Sequence, residues 1–321
     1  MKRLTGFFVF AALVISLPVL MPNNYFVTVV GVTIGLHIIL AVSLNLFMGF
    51  AGQISLGHAA FFGMGAYTSA ILTTHYGVNP WLAIVVALFL VAVVANVIAR
   101  PILKLKGHYL AMATLGFGII INIIMVQEVQ FTGGPDGMSG VPPLSLFGWE
   151  IDSDLKWYVV IAVVMLFSVL VSLNIVESRA GRALKAVHGS EIAAQTMGVD
   201  TVKTKNQVFV LSALLTCFAG SLFAHQQAFV SPVSFNFFFS IELVTMVVLG
   251  GLGSTFGAVF GAIVITLLPE LLVVFEDYEV LIFGAILMSI MIFLPQGLFV
   301  GIAQWLRNAV IKRSARAGQE A

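Results

Sequence analysis

Ten apolar runs, near residues 5–21, 26–48, 54–73, 81–99, 108–127, 157–176, 207–228, 239–253, 256–275 and 280–300, leave this chain few ways to fold. Most approach the ~20 residues that a helix needs to cross ~30 Å of hydrocarbon. A soluble domain would need polar faces on its surface helices. These runs are mostly oily all round, with Gly and Ala scattered through them as close helix packing in lipid requires. The composition agrees: 60% of residues are hydrophobic, 9% are charged, and mean hydropathy is +1.07. The expected fold is an all-α integral membrane protein, a polytopic helical bundle of about ten transmembrane segments. The short runs at 239–253 and 256–275, around "LGGLGSTFG", read either as two of these spans or as broken or re-entrant helices. The N-terminal run has the basic start of a secretory signal but lacks a small-x-small cleavage site before "PNNYF", so it reads as an uncleaved first span. The expected domains are a membrane domain over 1–306 and a basic cytoplasmic tail over 307–321.

Charge placement tests this count independently. With the N-terminus inside, the inner segments hold every one of the 15 Lys and Arg residues except Lys156. Asp136, Glu150, Asp152, Asp154, Glu276, Asp277 and Glu279 fall in the outer loops instead. Since Lys and Arg in short loops set orientation, both termini are expected in the cytoplasm. Basic residues show no stripe with interleaved aromatics, so the lipid bilayer, and not nucleic acid, is the expected surroundings. Cys217 is the only cysteine, which excludes an intramolecular disulfide and a cysteine metal cluster.

The largest inner segment, residues 177–206, is polar and helix-prone. Within it "RAGRALKAVH" should end at Gly189, in the left-handed conformation glycine accepts at a helix end. Ser190 should cap a second short helix, "EIAAQTM", with Glu191 in its first turn and Gly198 closing it. One reading is a solvated connecting loop. The other is a docking element, with small Ala193 and Ala194 on its surface and Arg182 and Lys185 beside it.

Here the residues resemble a known family. "EIAAQTMG" looks like the cytoplasmic EAA-type coupling loop of ABC-transporter permeases, with an extra Ile192 after the Glu and without the downstream Ile-x-Leu-Pro. "LNLFMGFAGQISLGHAAFFGMGAYTSA" (44–70), "FTGGPDGMSG" (131–140) and "VVLGGLGSTFGAVFGA" (247–262) resemble the branched-chain amino-acid ABC permeases of the LivM type. The resemblance implies one half of an importer pore, acting with a second, LivH-like permease, two ATPase subunits that carry ATP and magnesium, and an external binding protein. It assigns Arg182, Lys185, Glu191, Ala193, Ala194 and Gly198 to ATPase coupling. No cofactor is expected on this chain itself.

Other candidates come from residue chemistry. Gly49 and Gly52, with Asn45, Gln53 and His58 near them, suit either tight helix packing or a gate beside the pathway, because irregular backbone in a membrane must be satisfied by protein or water. Gly250, Gly251 and Gly253 offer a second such break. Glu242 lies in an apolar run, where an ionised carboxylate costs roughly 2.5–3.5 kcal/mol, so it should face protein or water. It reads either as an interhelix bond to His225, Gln226 or Gln227, or as a pathway group. Gly133, Gly134, Pro135, Asp136 and Gly137 form a tight-turn composition, either a plain turn or a contact for the binding protein. No His or carboxylate spacing suits a metal.

The chain contains no Gly-Lys dipeptide, so it holds no phosphate-binding loop of the G-x-x-x-x-G-K-[ST] type and is not expected to be an enzyme. A gradient-driven carrier would be expected to hold a chain of intramembrane acids or histidines, which is sparse here. An importer for urea or short-chain amides is the alternative cargo reading.

Overall fold

The computed structural model describes residues 2–20, 25–146, 149–293, 297–299 and 301. The tail 307–321 lies outside them. Helices α1 (Lys2–Leu20), α2 (Gly31–Asn45), α3 (His58–Thr74), α4 (Pro80–Ile102) and α5 (His108–Gln127) follow the first five apolar runs. A four-residue turn, α6 (Val129–Thr132), precedes α7 (Asp154–Glu177). The polar segment folds as α8 (Arg179–Gly189) and α9 (Glu191–Thr196). Then come α10 (Thr201–Gln227), α11 (Phe237–Gly250), α12 (Thr255–Leu272) and α13 (Glu279–Phe293).

Six helical segments are long and apolar enough to cross a bilayer: Val27–Phe50, Pro80–Ile102, His108–Gln127, Asp154–Glu177, Thr201–Gln227 and Thr255–Leu272. The first is α2 extended at both ends by π turns, Phe26–Val30 and Leu46–Phe50. By contrast α11 has 14 residues, about 21 Å at ~1.5 Å per residue, well short of ~30 Å of hydrocarbon. It turns at Gly251 into α12 and packs along it, the broken hairpin that its shortness suggested.

The core is built around α2 and α10. α2 packs against α7, α10, α11 and α12, while α10 packs against α3 and α4. α4, α5 and α7 lie outside, with Phe89, Ile120 and Phe167 exposed as lipid-facing side chains would be. Because the solvent is as apolar as the side chains, close approach and hydrogen bonds between helices hold such a bundle together. A Cβ added at Gly65 would meet the Cys217 carbonyl, and one at Gly220 the Phe62 carbonyl, so these glycines let α3 and α10 touch backbone to backbone. Ser43 meets Thr216 at 2.9 Å, Ser69 meets His225 at 2.8 Å and Asn206 donates to Asn96 at 2.9 Å.

The two ends of the bundle differ. One end, the loop end, carries α8, α9 and the turn at 103–107. At the opposite end, strand β1 (Met138–Ser139) precedes the hairpin of β2 (Ser145–Leu146) with β3 (Trp149–Glu150), and it pairs antiparallel with β4 (Phe229–Val230). Lys156, the lone basic residue assigned there, bonds Asp152 at 2.5 Å, and that hydrogen bond holds the Asp152 carboxyl below its ordinary pKa.

Candidate functional site

The two glycine-rich breaks meet at the loop end, and Asn45 joins them. Asn45 is the last residue of α2 before its terminal π turn and is fully buried. Its Nδ2 donates to the Ser254 carbonyl at 3.1 Å, and its Oδ1 accepts from the Gly253 N–H at 3.1 Å. One amide side chain therefore satisfies the Gly253 N–H, which has no helical partner, and adds a second donor to the Ser254 carbonyl, which also accepts from the Ala258 N–H of α12 at 3.0 Å. Gly251 (φ 113°) and Gly253 (φ 73°) take conformations that a side chain would strain. A Cβ on Gly49 would strike Asn45 and the Gly253 amide, and one on Gly250 would strike the Gly257 carbonyl. We call this arrangement the clasp.

α8 rests directly on it. Ser178 caps α8 through the Gly181 N–H, and Gly181, Leu184 and Val187 form its buried stripe. Arg182 and Lys185 point outward. The His188 side chain lies against Gly52 (φ 69°), so that a Cβ there would come within 2.9 Å of His188 Nδ1, and α8 packs on the Leu46–Phe50 turn.

The kink between α8 and α9 stands where expected, with one correction. Gly189 is not left-handed; the turn is made by Ser190 in an extended conformation (φ −164°, ψ 118°), whose Oγ accepts from the Ala193 N–H at 3.3 Å. Gly198 does close α9 with φ 82°. A second correction concerns which side chains face outward. Ala194 is buried, and Glu191 turns inward to the almost fully buried Lys205 of α10, with Lys106 at 3.8 Å. The large groups that α9 presents are Ile192 and Met197, 72% and 83% exposed, with Ala193 between them. Sequence reasoning passed over both; an apolar pair beside polar caps was the available signal.

The remaining candidates disperse. Gln53 folds back on its own turn, Nε2 to the Ala51 carbonyl at 3.1 Å. His58 bridges Ser55 (2.9 Å) and Ser212 (3.0 Å) among Phe47, Phe61 and Phe209, a satisfied link between α3 and α10. Glu242 does not bond His225, Gln226 or Gln227: His225 is engaged by Ser69 and the Pro142 carbonyl, and Glu242 makes no hydrogen bond or ion pair among the described residues. For His225 the expected pairing fails because its ring is turned toward α3 and the 141–143 segment. At the opposite end, Gly134–Asp136 form a 3-10 turn, with Gly133 and Gly137 at φ 76° and the Gly137 N–H bonded to the Gly134 carbonyl. Gly137 abuts Val230 and Ser231, and Pro135 and Asp136 are exposed. No group of three or more metal-ligating side chains occurs among the described residues.

Comparison with known proteins follows the same segments. The family described as the permease component of branched-chain amino acid transport systems matches residues 25–293. The chain is 35% identical over 309 residues to the high-affinity branched-chain amino acid transport system permease protein LivM of Escherichia coli (strain K12), covering 89% of this chain and 72% of that protein. It is 35% identical over 286 residues to LivM of Salmonella typhimurium, covering 82% and 67%. To the permease protein LivH of Escherichia coli (strain K12) it is 24% identical over 291 residues, covering 84% and 92%. No solved structure matches.

Proposed function

We propose a gating mechanism for this chain, which belongs to the branched-chain amino acid permease family and is a multi-pass permease subunit of an ATP-binding-cassette importer for those amino acids. The observation that carries the mechanism is the line of contact from α8, through His188 and Gly52, to the Asn45 clasp. Closed, the clasp seals the loop end. A push on α8 bears on Gly52 and thereby on the π turn that follows Asn45, and parting the two bonds lets solute out toward the loop end.

The push comes from partners. In this scheme the chain pairs with a LivH-like permease, and two ATPases bind ATP and magnesium and dock on residues 177–206. An external binding protein delivers the amino acid near 133–137. Catalysis belongs to the ATPases, since this chain has no phosphate loop. The loop end, with both termini, faces the cytoplasm of a bacterial inner membrane, as its basic residues favour. On a cytoplasmic surface Ile192 and Met197 have no lipid to cover them, which suits a groove on the ATPase, flanked by Arg182 and Lys185. Glu191 and Ala194 act from beneath, holding α9 on α10.

The test is reconstitution. Together with the three partner subunits and the binding protein, the chain should drive ATP-dependent leucine uptake. In cells, Ser139→Cys should react with an impermeant maleimide from outside and Ser190→Cys only after permeabilisation. Labelling of position 190 from outside, or uptake that ignores ATP and collapses with a protonophore, overturns the scheme.

A further inference from the structure

A cavity of about 220 Å³ lies between α2, α3, α10 and α11, in the half of the bundle away from the loop end. Its walls are of two kinds. Leu36, Phe62, Phe223 and Phe239 form an apolar side, and Thr33, His37, Gln227 and Ser234 bring polar groups to it.

The polar groups are uncommitted in a specific way. Thr266 Oγ1 donates its proton to the Ala262 carbonyl at 2.7 Å, so toward His37 it can only accept. His37 Nδ1, 2.7 Å away, must then carry the ring proton, which leaves Nε2 as a bare acceptor. Nε2 has no partner among the described residues, and neither the Gln227 amide nor the Ser234 hydroxyl makes a hydrogen bond there. One acceptor and two groups able to donate thus border an aromatic and aliphatic wall.

We infer that this cavity is a subsite for a zwitterionic amino acid with a short aliphatic side chain. The ammonium donates to His37 Nε2, the carboxylate accepts from Gln227 and Ser234, and the side chain lies against the phenylalanines. The volume equals roughly seven waters at ~30 Å³ each, room for the eight or nine non-hydrogen atoms of valine or leucine. His37 precedes Asn45 by eight residues on α2, about 12 Å at ~1.5 Å per residue, which sets the subsite directly behind the clasp. Another cavity, about 330 Å³ between α1, α2 and α7, is a poor rival: its one polar side chain, Tyr158, already donates to the Val14 carbonyl. The inference rests on the importer reading and deepens it.

The experiment uses the assembled importer without its binding protein. Cys217 is fully buried, so Thr33→Cys supplies a cavity thiol for a small methanethiosulfonate reagent. Leucine and valine should slow its modification about tenfold, and glycine and urea should not. In transport with the binding protein present, Phe239→Trp, which fills the cavity, should lower leucine uptake at least tenfold while ATPase subunits still co-purify. His37→Ala should do the same, with partial recovery in His37→Asn, whose amide oxygen restores an acceptor. Wild-type leucine uptake by Phe239→Trp overturns the subsite and leaves the importer reading standing, and it decides the matter if the thiol proves unreactive. Protection by urea or acetamide but not by leucine overturns the ligand class. Failure of the wild-type importer to take up leucine with any binding protein overturns the importer reading instead.

Discussion

Asn45→Ala strips the clasp of both its bonds at once. The side chain is fully buried and holds the Gly253 N–H and the Ser254 carbonyl at 3.1 Å each. A buried donor or acceptor left without its partner costs about 1–3 kcal/mol. The Ser254 carbonyl keeps its bond from the Ala258 N–H, so the Gly253 N–H alone is orphaned, and the closed state loses about 1–3 kcal/mol relative to an open state in which that group is already hydrated. At 1.4 kcal/mol per decade, that is a shift of about 5- to 140-fold in the closed-to-open ratio. The assay is efflux of labelled leucine from proteoliposomes holding the full importer, without ATP or binding protein, alongside basal ATPase activity. Asn45→Ala should leak at least fivefold faster than wild type, and its ATPase should no longer need loaded binding protein. Gly49→Ala should leak too, because its Cβ would displace the same side chain. If both variants assemble, stay tight and keep coupled ATPase activity, the clasp is not the gate.

Three further outcomes follow from the geometry. Lys205→Met leaves Glu191 only the more distant, exposed Lys106, a loss of about 1.5–3 kcal/mol for the charged hydrogen bond removed, so ATPase co-purification should fall, and the swap Glu191→Lys with Lys205→Glu should recover part of it; no change in the single variant would show that α9 is held otherwise. Ile192→Asp with Met197→Asp should insert normally yet lose ATPase association in pull-down, since both side chains are exposed. Glu242→Ala and Glu242→Gln should both reach wild-type levels in the membrane, because no described residue loses a partner; selective loss of the Ala variant on detergent gels would show that a bond to this carboxylate holds the bundle.

Much of the bundle was legible as local sums over the chain. Apolar run length and Lys and Arg position depend only on neighbouring residues, and each of the ten runs carries a helix. Helix ends were legible for the same reason: Ser190 caps α9 with a bond three residues away, and Gly198 closes it. Gly189 misled because a Gly at a helix end ordinarily signals a left-handed cap, and here the extended Ser190 makes the turn alone.

Contacts between distant residues had no such signature. Asn45 lies 208 residues from Gly253, and nothing in either stretch tells which amide will satisfy which turn. The EAA-like motif drew attention to Glu191 and Ala194, yet packing against α10 turned both inward and left Ile192 and Met197 to face out. Lys205, counted as one more loop charge, became the buried anchor of α9. Nothing near His37 in the chain tells that Thr266, 229 residues away, sets its tautomer and leaves one nitrogen bare toward a cavity. By itself the sequence determined that this chain lives in a membrane, how many apolar helices it offers and which loops are basic, because hydrophobic length and charge add up along the chain. Only the tertiary structure decided what holds the α11–α12 turn, what anchors α9 and where a cavity with unpartnered polar groups lies, because each depends on which buried donor finds which acceptor once the helices pack.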